Sequence, residues 1–193
     1  SIIHQTKPPA RYTEATLVKE LEKSGVGRPS TYAAVISNIQ DRKYARLDAK
    51  ALVPTFTAFA VTALLEEHFP DLVDSSFTSN LEDKLDGVAT GTQDAVQYLD
   101  DYYKGENGLR AKVDTQEDKI DPQKAKLLDL PLDGLEGISV AVGRFGPYAK
   151  MKKGEEEIST SLPQDMDPSD ITPERLEELI KLSEEQDLSL IHI

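Results

Sequence analysis

The first fifty residues place apolar positions at helical spacing between short polar breaks, a pattern that predicts two helices joined by a glycine-rich loop. Thr13 can cap the first helix and Gly25 can end it. A second helix is expected to start at Pro29, because proline is preorganised for the first helical position. The loop would place free N–H groups and hydroxyls at the positive end of a helix dipole, which favours an anion such as phosphate. One face of the first helix carries Leu17, Val18 and Leu21.

Residues 44–53 alternate and predict two short strands that turn near Asp48, followed by a helix opened by Thr55. Helix, helix, hairpin, helix is the order of a winged-helix-like module. The next aromatic residues follow one helical stripe, which is more typical of a core than of a stacking surface. His68 lies at the end of this helix beside a proline and is interpreted as a cap of the helix dipole. The aromatic stripe comprises Phe56, Phe59 and Phe69.

Residues 77–90 and 92–113 read as two acidic amphipathic helices. In the second of them, the apolar positions are Val96, Leu99 and Tyr103. Residues 114–130 are polar and lack a clear period, which predicts a linker. From there the pattern is typical of β-structure, with a turn at residues 143–148 and then a helix that begins at Pro173 and ends near Leu182.

The predicted fold class is therefore mainly α with small β elements. A winged-helix-like helical domain, residues 1–113, precedes the linker of residues 114–130. A small α+β unit, residues 131–185, and a tail of residues 186–193 complete the chain. With 193 residues, 38% hydrophobic, the sequence is long enough for one sizeable core or two small ones.

The charge distribution separates the first fifty residues from the rest. The net charge of −13 is unfavourable for DNA, yet residues 1–50 hold nine Lys or Arg and five Asp or Glu, a local charge of +4. Because phosphate neutralisation is local, the acidic remainder does not exclude a basic groove. The absence of cysteine excludes disulfides and thiolate zinc sites. No segment is apolar enough to span a membrane, so we expect a cytoplasmic protein.

The segment that starts at Pro8 resembles the bacterial type IA DNA topoisomerases, the topoisomerase I family. The matching runs keep the family's order and spacing: Pro8-Pro9-Ala10-Arg11-Tyr12, Gly27-Arg28-Pro29-Ser30-Thr31-Tyr32-Ala33 and Ile39-Gln40-Asp41-Arg42. Two positions depart from the family, with Val26 in place of Ile and Lys43 in place of Gly. The second departure matters more. A turn after the helix needs a left-handed backbone conformation, which is strained for lysine and unstrained for glycine.

The resemblance implies an enzyme that cuts one DNA strand through a tyrosine, passes another strand and reseals the cut, which relaxes negative supercoils with Mg²⁺. The family's tyrosine motif and metal-binding domain are not recognised in this chain. We therefore expect a fragment without catalytic residues, cofactor or metal of its own, whose partners are DNA and the remaining domains. By motif matching, the expected phosphate contacts are Arg28, Ser30, Thr31 and Arg42. Arg11 is a further candidate that could instead brace the domain junction.

The run Gly143-Arg144-Phe145-Gly146-Pro147-Tyr148 resembles the C-terminal repeat of topoisomerase I chains that lack zinc ribbons. Residues 138–153 hold four cations and no acid, interleaved with two aromatic residues, a mixture that lets bases stack while cations meet phosphates. Arg144, Phe145 and Tyr148 are therefore candidate DNA contacts. In so small a unit, the two aromatic side chains could equally be core.

The sequence favours a fragment that binds single-stranded DNA, and two alternatives stay open. One is a free-standing winged helix that reads duplex DNA through the helix of residues 29–40, although the body of that helix offers few base-reading side chains. The other is a protein-interaction or scaffold module that docks a partner such as RNA polymerase. Hydrophobic residues left on an otherwise polar face would favour this second alternative.

Overall fold

Two helices, a hairpin and a third helix form the first part of the chain, in a computed structural model that describes residues 9–128, 130, 137–153 and 156–190. Thr13 caps the first helix through a reciprocal pair of hydrogen bonds with Thr16, and Thr55 caps the third. This order confirms the predicted sequence of elements. The elements are α1 (Glu14–Lys23), α2 (Tyr32–Asp41), β1 (Ala45–Asp48), β2 (Ala51–Pro54) and α3 (Phe56–His68).

The start of α2 differs from the prediction. The Arg28 N–H donates to the Thr31 hydroxyl oxygen at 2.9 Å, and that hydroxyl donates to the Arg28 carbonyl at 3.0 Å. These bonds close a turn over residues 28–31, so that Pro29 lies in the turn and the helix begins at Tyr32. The prediction of Pro29 as the first helical residue was wrong because the threonine side chain stabilises a turn that competes with the helix.

Four further helices follow α3. They are α4 (Pro70–Val73), α5 (Ser75–Ala89), α6 (Ala95–Lys104) and α7 (Leu109–Glu117). The single helix predicted over residues 92–113 is thus two helices. The chain turns at Gly105 and Gly108, where a Cβ would lie 2.3 Å from the Asp101 carbonyl and 2.8 Å from the Tyr103 carbonyl, respectively. Only glycine allows the backbone to approach itself so closely.

The apolar face of α6 also differs from the prediction. Tyr98 and Tyr102 turn inward, and the ring centroids of Tyr102 and Phe77 of α5 are 6.4 Å apart. The predicted stripe of Val96, Leu99 and Tyr103 faces solvent instead, because Tyr98 and Tyr102 occupy the buried side of the helix. The exposed fractions of that stripe are 78% for Val96, 57% for Leu99 and 49% for Tyr103.

A four-stranded antiparallel sheet and a long helix form the second part of the chain. The strands are β3 (Leu127–Leu128), β4 (Ile138–Gly143), β5 (Gly146–Lys153) and β6 (Glu156–Ser161), paired in that order. Short 3-10 helices lie at Lys124–Lys126 and Pro168–Asp170, and α8 (Pro173–Leu190) completes the part. Pro173 is the first residue of α8, as predicted, and the Thr172 hydroxyl accepts from the Arg175 N–H at 3.2 Å.

Two predicted boundaries change. Residues 114–117 belong to α7 and residues 127–128 pair with β4, so the expected linker is regular at both ends. The helix predicted to end near Leu182 continues to Leu190, through most of the expected tail. Residues 131–136 of the expected repeat and 191–193 of the expected tail lie outside the described residues.

Phe56 joins the two parts of the chain. It is the first residue of α3, yet it is 2% exposed and packs into a cluster otherwise formed by the sheet, its following loop and α8. The other buried members of that cluster are Val140, Ala149, Leu162, Ile171 and Leu176. Phe59, predicted in the core, is 39% exposed, whereas Phe56 on the same helix is buried. Across the described helices, none is both long and apolar enough to cross a membrane.

Candidate nucleic-acid interface

The loop before α2 is organised by Arg28. Its Nε and Nη2 donate to the Asp86 carboxylate at 3.0 and 2.8 Å, and Nη2 also donates to Asp83 at 3.1 Å. Its Nη1 donates to the carbonyls of Gly25 and Gly27 at 3.3 and 2.9 Å. All five guanidinium N–H groups thus have partners inside the protein. The hydrogen bond with Asp86 raises the pKa of Arg28 above its usual value.

The hydroxyls beside Arg28 differ in availability. Thr31 uses its hydroxyl to close the turn with Arg28, as described above. Ser30 is exposed in the same turn, and its side chain makes no hydrogen bond to any described residue. Of the two predicted hydroxyl contacts, Ser30 is therefore the one free to reach a ligand without breaking a bond.

Helix α2 ends in a turn that places two cations next to each other. The N–H of Lys43 donates to the Gln40 carbonyl and that of Tyr44 to the Ile39 carbonyl, both at 2.8 Å, which is the Schellman arrangement. Lys43 adopts φ +58°, so the turn keeps its left-handed residue although lysine stands at that position. Arg42 and Lys43 are both exposed.

The β4–β5 hairpin presents an aromatic ring and a cation at its tip. Gly143 pairs with Gly146, leaving Arg144 and Phe145 as a two-residue turn. Phe145 is 92% exposed, and the Arg144 guanidinium lies 5.8 Å from its ring centroid. A phenylalanine this exposed contributes nothing to the core, so the core alternative for Phe145 is excluded.

Tyr148 and Lys150, further along β5, are less available. Tyr148 is half-buried, and a Cβ on Gly143 would lie 3.0 Å from its ring, so the ring packs over the backbone of the neighbouring strand. Lys150 forms an ion pair with Glu157 at 2.6 Å, whose hydrogen bond lowers the pKa of Glu157. These contacts favour a largely structural role for both side chains.

A groove of about 260 Å³ lies between the hairpin tip and the start of α3. Its lining includes Lys43 from the turn after α2, Arg144 and Phe145 from the hairpin tip, and the polar side chains of Thr57 and Gln164. Two cations and no carboxylate line this groove. The fold therefore brings the end of α2 and the hairpin tip, about a hundred residues apart, to one surface.

Arg11 is held at the junction between the two parts of the chain. Its Nη2 donates to the Asp167 carboxylate at 2.6 Å. Partial burial acts to raise the pKa of Asp167, but hydrogen bonds from Ser169 and the charge and hydrogen bond of Arg11 outweigh it, so that this pKa lies below its usual value. Of the two roles considered for Arg11, this geometry favours bracing the junction.

The described residues contain no group of three or more histidine, aspartate or glutamate side chains that could hold a metal ion.

The family follows from sequence models that match most of the chain. Residues 2–100 match the family described as DNA topoisomerase, and residues 133–187 match the topoisomerase C-terminal repeat. The chain belongs to the DNA topoisomerase family. The matches confirm both resemblances, the one that starts at Pro8 and the one in the β4–β5 hairpin.

Known DNA topoisomerases align with nearly the whole of this chain. The DNA topoisomerase 1 of Synechocystis sp. is 53% identical over 178 residues, which are 92% of this chain and 20% of that protein. That of Mycolicibacterium smegmatis is 40% identical over 94% of this chain and 22% of its own length. The solved full-length topoisomerase I of Thermotoga maritima superposes with a TM-score of 0.60 at 30% identity, over 84% of this chain and 26% of its own. The chain thus spans about a fifth of the length of its curated relatives.

Three residues of this topoisomerase surface were not expected from the sequence. Lys43, Thr57 and Gln164 line the groove although none belongs to a motif that suggested DNA contact. Lys43 could have been found, because it directly follows Arg42 of the matched motif and adds a second cation there. Thr57 and Gln164 carry no such signal, since only the packing of α3 on the sheet brings them together.

Proposed function

We propose that this chain is a DNA-holding part of a bacterial type IA topoisomerase, which binds single-stranded DNA while the longer enzyme relaxes negative supercoils by cleavage, passage and religation. The Mg²⁺ implied by the family is assigned to the rest of that enzyme, and the proposed location is the cytoplasm, at the nucleoid. The observation that carries this proposal is Phe145, an almost fully exposed ring beside Arg144 at a hairpin tip. An exposed ring next to a cation is the arrangement on which unpaired bases stack.

The end of α2 supplies the second part of the proposed surface. Arg42 is exposed, and its side chain makes no ion pair with any described residue, so its guanidinium can meet a phosphate without losing a partner. Ser30 offers a free hydroxyl at the other end of the same helix. Contacts of this kind bind the backbone without reading sequence.

Arg28 can contact a phosphate only if it exchanges its carboxylate partners for phosphate oxygens. Asp83 and Asp86 are 71% and 60% exposed at their side chains, so phosphate oxygens could replace them around the guanidinium. Such an exchange would leave the bonds from Nη1 to Gly25 and Gly27 in place. Thr31 would hold the turn in shape throughout.

Fluorescence anisotropy with a labelled single-stranded oligodeoxynucleotide tests the proposal on the intact chain at low salt. We expect weak, sequence-tolerant binding that falls with salt. Phe145→Ala should weaken binding by about tenfold, because one base loses its stacking partner. Arg42→Ala should weaken it less and reduce the slope of log K against log salt by about 0.7, the value for one phosphate contact on a single strand.

Matched controls come from the acidic helices. Arg110→Ala on α7 removes another exposed arginine, and Tyr103→Ala on α6 removes an exposed aromatic ring, both outside the proposed surface. Both control variants should bind like the wild type. Equal losses in control and test variants, or no binding by the folded wild-type chain, would contradict the proposal.

A protein-contact surface is a second candidate function, favoured by a separate observation. The exposed stripe of α6 is the kind of apolar strip on a polar helix that the protein-interaction alternative requires. We propose that this stripe contacts another protein surface, either a remaining domain of the enzyme or a partner such as RNA polymerase. Replacing Leu99 by Lys should abolish such a contact while single-strand binding stays unchanged, and a loss of DNA binding in this variant would argue against it.

The duplex-reading alternative receives no support from α2. The side chains that α2 exposes are short or uncharged, and duplex recognition needs cations or amides along the helix face. The exposed positions in its body are Ala33, Ala34, Ser37 and Asn38. One amide on this face is too little to read a major groove.

A further inference from the structure

Lys43 adopts a backbone conformation that lysine disfavours. Its φ of +58° lies in the left-handed region, which glycine adopts freely and lysine does not. A strained residue persists only when the surroundings impose the conformation, and such residues cluster at functional sites. The turn itself needs only a left-handed residue, so the turn explains the φ angle but not the lysine. The side chain therefore calls for a reason of its own.

The groove beside Lys43 provides that reason. Lys43 and Arg144 stand at its rim with no carboxylate among the lining residues, and neither cation pairs with an acid of the described chain. In a protein of net charge −13, a lining with two cations and no acid attracts anions locally. The phosphates of a nucleic acid backbone would supply the negative charge that the lining of the groove does not provide.

The groove also has the size and chemistry for a base. A cavity of about 150 Å³ accommodates one six-membered aromatic ring, so a groove of about 260 Å³ has room for one nucleobase. Phe145 offers an exposed ring at one side. The Gln164 side chain makes no hydrogen bond to a described residue, which leaves both its donor and its acceptor free for a base edge. Thr57 also lines the groove and carries a hydroxyl.

We propose that this groove is a subsite for one unpaired nucleotide, in which the base stacks on Phe145 and meets Gln164 while Lys43 and Arg144 hold the flanking phosphates. The inference rests on the proposed single-strand binding and adds residues that no motif suggested. Lys43 is the distinctive element, because it adds a phosphate contact from the turn after α2, on the far side of the chain from the hairpin in sequence. The subsite spans both parts of the chain, so the bound strand would run from the end of α2 to the hairpin tip.

The test uses the intact chain and an oligodeoxynucleotide of about ten nucleotides that carries one 2-aminopurine, whose fluorescence reports stacking. Lys43→Gln removes the charge and leaves the backbone strain of a long side chain in place. We expect it to weaken binding by about threefold and to lower the salt slope by about 0.7. Lys50→Gln, an exposed lysine on the turn between β1 and β2, is the matched control and should change neither quantity beyond the effect of net charge.

Gln164→Ala tests the base contact separately from charge. It should weaken binding by about threefold without changing the salt slope, and it should alter the 2-aminopurine signal of the bound strand. Lys43→Arg should keep wild-type affinity, because it keeps the cation.

Two outcomes separate the subsite from the broader function. If Phe145→Ala weakens binding while Lys43→Gln and Gln164→Ala behave like Lys50→Gln, the single-strand function stands and the subsite is wrong. If the wild-type chain binds no single strand, the proposed function fails and the subsite fails with it. Circular dichroism of each variant shows that a loss of binding is not a loss of folding.

Discussion

At the scale of single residues, the same backbone position at three helix ends is filled in two ways. Gly25, Lys43 and Gly91 each follow a helix in the left-handed conformation, with φ of +69°, +58° and +75°, and each donates the same type of hydrogen bond back to the helix. Glycine adopts this conformation without strain and lysine does not. The cost at Lys43 should be visible in the stability of the protein.

Lys43→Gly should raise the free energy of unfolding by about 0.5–1 kcal/mol. Relief of the left-handed strain gains about 1–2 kcal/mol, and the greater freedom of glycine in the unfolded chain removes about 0.4–1 kcal/mol of that gain. Urea denaturation at neutral pH measures the difference. A decrease in stability would show that the lysine side chain makes stabilising contacts that outweigh its strain.

Gly25→Ala serves as the opposite case at the equivalent position of α1. A Cβ there would lie 2.4 Å from the Ser79 hydroxyl oxygen, in addition to the strain of φ +69°. This variant should lose stability where Lys43→Gly gains it, which separates the effect of the turn from a general effect of substitution.

The residue scale also shows what the sequence could and could not predict about the site. The exposure of Arg42 agrees with the motif match, and Phe145 resolved an alternative that pattern alone left open. The four partners of Arg28 could not be foreseen, because two of them, Asp83 and Asp86, lie on α5, more than fifty residues away. Local patterns report which face a residue occupies and carry no information on such distant partners.

At the scale of elements, α3 connects the hairpin module to the sheet. Its first residue, Phe56, fills the core of the second part, while its N-cap Thr55 donates its hydroxyl proton to the Lys43 carbonyl at 2.6 Å. The helix is thus fixed at one end to the turn after α2 and to the sheet. The contact to the turn is made by Thr55 and the contact to the sheet by Phe56, and these two residues are neighbours in the chain. The two parts should therefore unfold together.

Phe56→Ala should lower the free energy of unfolding by about 3–5 kcal/mol, the range for a large aromatic removed from a core. Differential scanning calorimetry should show one transition in the wild type and one transition at lower temperature in the variant. Phe59→Ala, on the same helix but 39% exposed, should cost less than about 1 kcal/mol. Two separate transitions, of which only one moves, would contradict a shared core.

Helix starts were predicted well where a side-chain cap marks them, whereas the turn before α2, the break after α6 and the inward face of α6 were predicted poorly. Thr13, Thr55 and Thr172 mark helix starts in sequence and in structure, because a side-chain cap is a local interaction. The inward face of α6 was predicted wrongly, because two sets of residues on this helix have helical spacing. One set is Val96, Leu99 and Tyr103, and the other is Tyr98 and Tyr102. Only the presence of α5 decides which of them is buried.

At the scale of the whole molecule, Arg11 and Asp167 connect residues 156 positions apart in the chain. The Asp167 carboxylate is only 16% exposed, so its charge depends on its hydrogen bonds from Arg11 and Ser169. Because the pKa of Asp167 is lower in the folded protein, its contribution to stability is present above its ordinary value of 3.8 and is lost as pH falls through the folded value.

Asp167→Asn should therefore destabilise the protein at pH 7, and this effect should become smaller as pH falls below 3.8. The expected cost at pH 7 is about 1 kcal/mol, since Arg11 is partly exposed and solvent screens the pair. Urea titrations at pH 7 and about pH 3 measure the difference between variant and wild type. Asp165→Asn, two residues away and exposed, should cost little at either pH, and an equal cost for both variants at pH 7 would contradict the role of the junction pair.

The arrangement of the two parts relative to each other was the least predictable feature. The sequence suggested a linker between them, and the composition of residues 114–130 gave no sign that a strand within it would pair with the sheet. Burial of Phe56 against Leu176 links positions 120 apart, and no periodicity reports a contact of that range. Fold class and family could be predicted because they follow from local motifs, whereas this docking follows from long-range packing.

The shared core around Phe56 determines how a mechanical load would pass through the protein. Tension on a strand gripped at the β4–β5 tip would run along those two strands into the core, where Val140 and Ala149 pack around Phe56. From Phe56 the load would reach α3 and, through Thr55, the turn that follows α2. A force applied to the hairpin would thus be transmitted to Arg42 and Lys43 through packed and hydrogen-bonded residues, with no flexible linker in between.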